Sequence, residues 1–318
     1  VLGFERSTAA FFPVNASPSI DVFAPAKLNL FLAVTGRRAD GFHDLVSLVA
    51  PLDFGDTLWL TSLGSGSGAD VLVCAAPGVP TDASNLVLKA ASAWRAAGGR
   101  APWVRFELEK RTPAGAGMGG GSSDGVAALR GLQRIADVEL PEAKLAELAA
   151  GLGSDCPLFL ANAPTVMRGR GERLEFLSAT ERARLNGQRV LVCRPSFGIE
   201  TPWAYGRLVA GAPGSYTPAV VTEARLAAWR AGEIELEALL ANSFEAVAFE
   251  KFPAFPVLAA RLRERCGLAL HMTGSGSACF ALLAEESDAT PALAEIRDAW
   301  GAEVFVTVAR LGRGGKSV

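Results

Sequence analysis

The segment Pro113-Ala114-Gly115-Ala116-Gly117-Met118-Gly119-Gly120-Gly121-Ser122-Ser123-Asp124 constrains this chain more than any other. Directly after it, Val126, Ala127, Leu129, Leu132, Ile135 and Ala136 recur at helical spacing. A glycine-rich loop and two hydroxyls are therefore delivered to a helix N-terminus, with Ser-Ser-Asp read as the cap. Glycines have no Cβ to hold an anion at a distance, so successive backbone N–H groups can turn toward one phosphate while the helix end adds partial positive charge. The expected ligand is a nucleotide or a phosphorylated metabolite.

Two better-known glycine motifs fit poorly. Gly115-x-Gly117-x-x-Gly120 spells the dinucleotide fingerprint, which follows a buried parallel strand. Here residues 103–109 alternate, with Val104, Phe106 and Leu108 on one face and Arg105, Glu107 and Glu109 on the other, the pattern of a half-exposed strand. The P-loop needs a Lys after its glycines, and none follows. The Gly-Lys-Ser at 315–317 has Arg310 where that motif's first glycine belongs and no room for a helix behind it, so it reads as a solvated tail.

A chain of 318 residues that is 50% hydrophobic can bury two domains' worth of core. Net charge is −2 and the basic residues are dispersed, which argues against a nucleic-acid partner. No apolar run is long enough to span a membrane. Cys74, Cys156, Cys193, Cys266 and Cys279 are odd in number, scattered and never paired as Cys-x-x-Cys, the usage of a reducing, cytoplasmic protein. With two histidines, His43 and His271, a His-rich metal centre is excluded by count. The first 18 residues show no clear period and are set aside as an extension or an added leader.

Along the chain, residues 20–35 read as a strand interrupted at Pro25, and 45–60 as a second apolar stretch with a break at Asp53–Asp56. The Gly/Ser run at 64–68 is read as a hairpin-type loop. A helix over 83–97 takes Ser84 as its cap, and a shorter one follows Pro141. A strand is expected near 164–177, then a strand at 188–194 and helices near 221–231, 234–250 and 255–266. The last elements expected are strands at 268–272, 278–284 and 302–309 and a helix at 291–299. Strands and helices mix without strict alternation, which indicates α+β in both halves, with a change of order near residue 177.

Three further features carry chemistry. Lys27, in Pro25-Ala-Lys-Leu-Asn29, is an ammonium emerging from an apolar strand, and Asp155 lies in the tight loop Gly153-Ser-Asp-Cys-Pro157. If they meet, they form either a structural salt bridge or a proton-transfer site in which Asp155 accepts a hydroxyl proton. Thr273-Gly-Ser-Gly-Ser277 is a second Gly/Ser turn that can wrap a phosphate chain from another side. Phe42 and His43 offer a flat surface and a hydrogen-bonding ring to a base-shaped ligand.

Taken together, Pro-Ala-Lys-Leu-Asn-Leu at 25–30, the loop at 113–123 and Gly-Ser-Gly-Ser at 274–277 resemble the three signatures of the GHMP small-molecule kinases. Gly36-Arg-Arg-Ala-Asp-Gly-Phe-His43 and Gly153-Ser-Asp-Cys-Pro157 are most similar to the branch whose acceptor is 4-diphosphocytidyl-2-C-methyl-D-erythritol, rather than homoserine or mevalonate. The resemblance implies a two-domain α+β fold. Residues 19–176 would form an N-terminal half like domain 2 of ribosomal protein S5, and 177–318 a ferredoxin-like half, with the active site in the cleft between them. It further implies ATP-dependent phosphorylation of the acceptor's 2-hydroxyl, a step of the non-mevalonate route to isoprenoids. Lys27 and Asp155 would be the catalytic pair, residues 113–123 would cradle the ATP phosphates, and Asn29 and His43 would face the cytidyl diphosphate. Phe42, where Tyr is more usual, and Tyr205 would sandwich the cytosine. Mg²⁺ would enter with the nucleotide, contacted by Ser122 or Ser123 and otherwise by phosphate and water, since the acidic ligand of several relatives has no clear counterpart. The protein would act as a monomer or weak homodimer. The competing readings are a GHMP kinase for another small alcohol and a catalytically silent nucleotide-binding protein.

Overall fold

The computed structural model describes residues 19–63 and 68–312. The leader at 1–18, all but the last residue of the Gly/Ser run at 64–68 and the tail at 315–317 lie outside the described residues. The chain runs through β1 (Ser19–Arg37), β2 (His43–Ser62), β3 (Val71–Val73), α1 (Leu86–Ala96), β4 (Val104–Glu109), α2 (Gly120–Arg134), α3 (Glu142–Leu152), α4 (Cys156–Ala161), β5 (Thr165–Gly169) and β6 (Arg173–Phe176). It continues through α5 (Ala179–Ala183), β7 (Arg189–Arg194), α6 (Thr201–Ala210), α7 (Ala219–Ala231), α8 (Leu236–Leu239), β8 (Ala241–Asn242), α9 (Ser243–Lys251), α10 (Ala254–Cys266), β9 (His271–Met272), β10 (Cys279–Leu283), α11 (Thr290–Trp300) and β11 (Phe305–Arg310).

A seven-stranded sheet has the order β3-β4-β2-β1-β8, with β5 pairing farther along β2 and β6 pairing β5; a four-stranded sheet has the order β11-β7-β10-β9. Only β1–β8 and β3–β4 are parallel. This is mixed α+β architecture, as the lack of alternation indicated. Helices α1, α2 and α3 cover one side of the large sheet through Val87, Trp94, Leu129, Leu132 and Leu145 against Leu58, Leu60 and Phe106. A second core joins Leu28, Leu30 and Leu48 of the large sheet to Val190, Val192, Trp229 and Phe280 from the later half of the chain. The far side of the small sheet packs on α6, α9, α10 and α11 through Phe244, Phe255, Leu258 and Ile296.

Several boundaries differ from those expected. Strand β1 is not broken at Pro25: its register with β2 shifts between Pro25 and Lys27, a bulge that accommodates a residue without an N–H. Strand β2 also runs unbroken through 53–56, because its polar residues find distant partners. Asp53 accepts the Arg310 N–H at 2.7 Å, and Asp56 is fully buried in an ion pair with Lys110. The strand expected at 164–177 is a hairpin, β5–β6, turning at Gly169 to Glu172. The helix expected at 234–250 is split by Asn242, whose side chain caps α9 by accepting the Phe244 N–H. Asn85, not Ser84, caps α1. Helix α2 begins at Gly120 behind a left-handed Gly119, so Ser122, Ser123 and Asp124 lie inside the helix and do not cap it. A glycine at the cap leaves the first N–H groups free of a side-chain acceptor, which keeps them available to an anion.

Candidate active site

The site forms where three backbone segments lock together. The residues between the glycines, Ala116 and Met118, are 2% and 1% exposed and point into the shared core. Their carbonyls accept the Ala278 N–H at 3.1 Å and the Lys27 N–H at 3.0 Å. Buried side chains therefore anchor Ala116 and Met118, while Gly117 and Gly119 beside them border the open spaces on one side and press against neighbours on the other. Gly117 shows why no other residue serves: its φ is +78°, and a Cβ would lie 2.5 Å from the Thr273 carbonyl oxygen. The Thr273–Ser277 turn thus supports the glycine loop from behind. Asn242 holds that turn in place, donating to the Met272 and Gly274 carbonyls at 2.8 and 2.9 Å.

Lys27 projects from the β1 bulge onto this frame with its side chain 6% exposed. Its ammonium donates to Asn29 Oδ1 and lies 3.8 Å from Asp155 Oδ2. Asn29 is fixed in turn: its amide donates to Ser47 Oγ at 2.8 Å, Ser47 donates to the Phe31 carbonyl at 2.7 Å, and the Asn29 N–H donates to Thr273 Oγ1 at 2.9 Å. Burial pulls the Lys27 pKa below the ordinary lysine value, and the Asp155 charge opposes this. Asp155 stands at the N-terminal end of α4 with its side chain 34% exposed, open to the cavity. The sequence-predicted pair does meet.

Lys27, Asn29, Asp155, Gly117, Gly119 and Ser122 line a cavity of about 990 Å³. Phe42, His43, Tyr205 and Arg170 line it too, as do Thr201 and Ser275, whose hydroxyls are 2.7 Å apart. The His43 and Tyr205 rings stack with centroids 4.6 Å apart. Phe42 is 54% exposed, with the Arg170 guanidinium 4.6 Å over its ring. Phe42 and Tyr205 share the cavity, but it is His43 that lies against Tyr205. Burial, with Arg37 nearby, lowers the His43 pKa and keeps the ring neutral, and its buried Nε2 has no hydrogen-bond partner among the described residues.

A second recess of about 410 Å³ opens between residues 78–86 and the glycine loop, lined by Pro113 through Ser122 and by Lys110 and Asp124. Gly117, Gly119 and Ser122 border both spaces, so the loop is their common wall. Gly115, Gly120 and Gly121 face the recess. The two serines part company: Ser122 opens on both spaces, whereas Ser123 is 1% exposed and borders a groove on the other side of α2. Sequence reasoning missed the 78–86 wall, Arg170 and Asn242. Only Gly78, Pro80 and Asn85 gave any signal, and that signal was of turns and caps.

The fold and this three-sided cavity define a class. Family models for the GHMP kinases' N-terminal domain and C-terminal domain match residues 85–163 and 228–302. A 4-diphosphocytidyl-2-C-methyl-D-erythritol kinase from Salinibacter ruber (strain DSM 13855 / M31) is 36% identical over 86% of this chain and 93% of its own length. One from Rhizobium johnstonii (strain DSM 114642 / LMG 32736 / 3841) is 38% identical over 91% of this chain and 94% of its own. A crystal structure of a 4-(cytidine 5'-diphospho)-2C-methyl-D-erythritol kinase superposes with a TM-score of 0.74 at 36% identity, over 93% of this chain and 100% of that one. A homoserine kinase from Cytophaga hutchinsonii, at 16% identity and a TM-score of 0.67, shares the fold alone. The chain belongs to the 4-diphosphocytidyl-2-C-methyl-D-erythritol kinase family within the GHMP kinases.

Proposed function

We propose that this protein transfers the γ-phosphoryl group of ATP to the 2-hydroxyl of 4-diphosphocytidyl-2-C-methyl-D-erythritol. The observation that carries the reading is the Lys27–Asp155 pair, 3.8 Å apart beside the glycine loop, where the recess and the larger cavity share a wall. ATP would lie in the recess with its phosphates along residues 113–122, and the acceptor would extend from Asp155 toward Phe42, His43 and Tyr205. Asp155 takes the hydroxyl proton as the alcohol oxygen attacks the γ-phosphorus and the bond to the β,γ-bridging oxygen breaks, releasing ADP. Lys27 keeps Asp155 ionised and stabilises the charge developing on the alcohol oxygen. The orphan ring nitrogen of neutral His43 suits a base edge, and Asn29 is fixed where it can orient the acceptor.

Mg²⁺ would neutralise phosphate charge. Among the described residues no group of three or more His, Cys, Asp or Glu side chains gathers as a metal site. Ser122, which opens on both spaces, would be the loop hydroxyl to contact such an ion, with phosphate oxygens and water as its other ligands. The five cysteines are all unpaired thiols, which suits a reducing cytoplasm. A division into halves at 176/177 is consistent with the small sheet, whose strands all follow that point; β8 alone crosses back into the large sheet.

A coupled ADP-release assay over a panel of alcohols tests the function. Turnover is expected with the cytidyl acceptor and not with homoserine or mevalonate. Turnover only with a non-cytidyl acceptor overturns the substrate, and ATP binding without turnover of any acceptor overturns the activity.

A further inference from the structure

A cluster of three buried charges lies beneath the glycine loop and takes no part in the chemistry above. Lys110, the residue after β4, places its ammonium 2.5 Å from Asp56 Oδ2 of β2 and 2.7 Å from Asp124 Oδ2, five residues into α2. The three side chains are 7%, 0% and 4% exposed. Asp56 makes a second set of contacts: its Oδ1 accepts the backbone N–H groups of Arg111 and Thr112, each at 2.7 Å. Asp56 therefore grips the chain where it enters the glycine loop, and Lys110 ties that grip to the helix where the loop ends. The fit is close, since a Cβ at Gly120 would lie 2.9 Å from the Lys110 ammonium and 3.0 Å from the Thr112 methyl.

We infer that Asp56, Lys110 and Asp124 form a staple that closes the loop from Arg111 to Asp124 and presets its N–H groups for the donor nucleotide, making these three residues positioning residues for ATP. The inference rests on the ATP reading of the recess. Two observations separate the staple from a phosphate-binding lysine of the P-loop kind. The ammonium is already held by two carboxylates, and its side chain is only 7% exposed, so little of its charge is left for a polyphosphate. What it supplies is geometry. A flexible run of glycines loses much conformational freedom on binding, and fixing its two ends beforehand reduces that loss.

The test compares wild type with Asp124→Asn, which keeps a hydrogen-bonding side chain but removes the titratable carboxyl, and with Lys110→Met. Because Lys110→Met alone strands two buried carboxylates and risks misfolding, Lys110→Met combined with Asp124→Asn is the second variant. Three measurements are made on the full chain: hydrogen–deuterium exchange over residues 111–121, the Kd for ATP by calorimetry, and KM for the acceptor. The staple predicts exchange at least tenfold faster over 111–121, ATP bound about tenfold or more weakly, and an acceptor KM within twofold of wild type, with Asp124→Asn the milder variant. A lower melting temperature with unchanged ATP affinity, unchanged loop exchange, or equal loss of ATP and acceptor affinity overturns it. Wild type that binds no ATP defeats the kinase reading, and in that case the loop exchange alone decides the staple.

Discussion

Two parts of the candidate active-site cavity are built by opposite means. Along the glycine loop the positions are set by backbone: the Met118 carbonyl bonded to β1 and that of Ala116 to the residue before β10, Gly117 pressed against the Thr273 turn, and buried charges beneath. Among the aromatic residues they are set by side chains, with His43 stacked on Tyr205 and the Arg170 guanidinium over the half-exposed Phe42. A backbone-built site has few ways to change without strain, whereas a side-chain-built site can be altered one residue at a time. On the proposed function the first would hold the donor and the second the acceptor.

Substitutions at the junction and in each part should separate these roles. The largest effect is expected at the junction, where Asp155→Asn should lower kcat by on the order of 10² or more while Kd for ATP stays within a few-fold. Near-normal single-turnover rates in that variant would remove Asp155 from the mechanism. In the backbone-built part, Gly117→Ala should cost about 2–3 kcal/mol, through strain at positive φ and the clash with Thr273, and should weaken ATP binding by at least tenfold. If calorimetry finds ATP affinity unchanged, the contrast between the two parts fails. In the side-chain-built part, Tyr205→Leu should raise the acceptor KM by about tenfold and leave KM for ATP alone, as loss of one stacking face would do. Equal changes in both KM values would mean that Tyr205 supports the fold and not the acceptor.

A subtler effect concerns the pH dependence of stability. Burial, together with the Asp56 charge and against the attraction of Lys110, pushes the Asp124 carboxyl up to about 7. The folded protein then holds a proton that the unfolded chain releases near an ordinary aspartate pKa, so this contribution is full below about pH 4 and is lost as pH rises through 7. Burial lowers the His43 pKa, which acts in the opposite sense. The melting temperature of Asp124→Asn should therefore fall less than that of wild type between pH 5 and pH 8, and parallel curves would rule out this source. The smallest effect is expected at Gly121, where a Cβ meets nothing within 4 Å and helix α2 has begun. Gly121→Ala should raise stability by about 0.5–1 kcal/mol in thermal unfolding.

Much of the site was legible because the chemistry forces unusual residues into unusual places. A lysine in an apolar strand, an aspartate in a tight loop and a glycine run ahead of a helix each conflict with local rules, and the structure brings all three together. Ser-Ser-Asp is a common way to start a helix, but here a left-handed glycine starts it earlier and Asp124 turns inward to Lys110. Asp53 and Asp56 likewise resemble a turn signal but lie within an unbroken strand. Their partners, Arg310 and Lys110, are remote in sequence, and no local pattern announces them.

The sequence by itself determined that the chain belongs among the GHMP kinases, that its fold mixes helices and strands, and which residues are candidates for the site, since these follow from residue type, spacing and resemblance. Only the tertiary structure decided which serine opens on the recess, that His43 and not an empty slot lies against Tyr205, that residues 78–86 wall the recess, and that Asp56, Lys110 and Asp124 meet beside the loop. Each of these depends on where side chains far apart in the chain meet. Such meetings are fixed by packing across β1, β2 and α2, which the order of residues does not display.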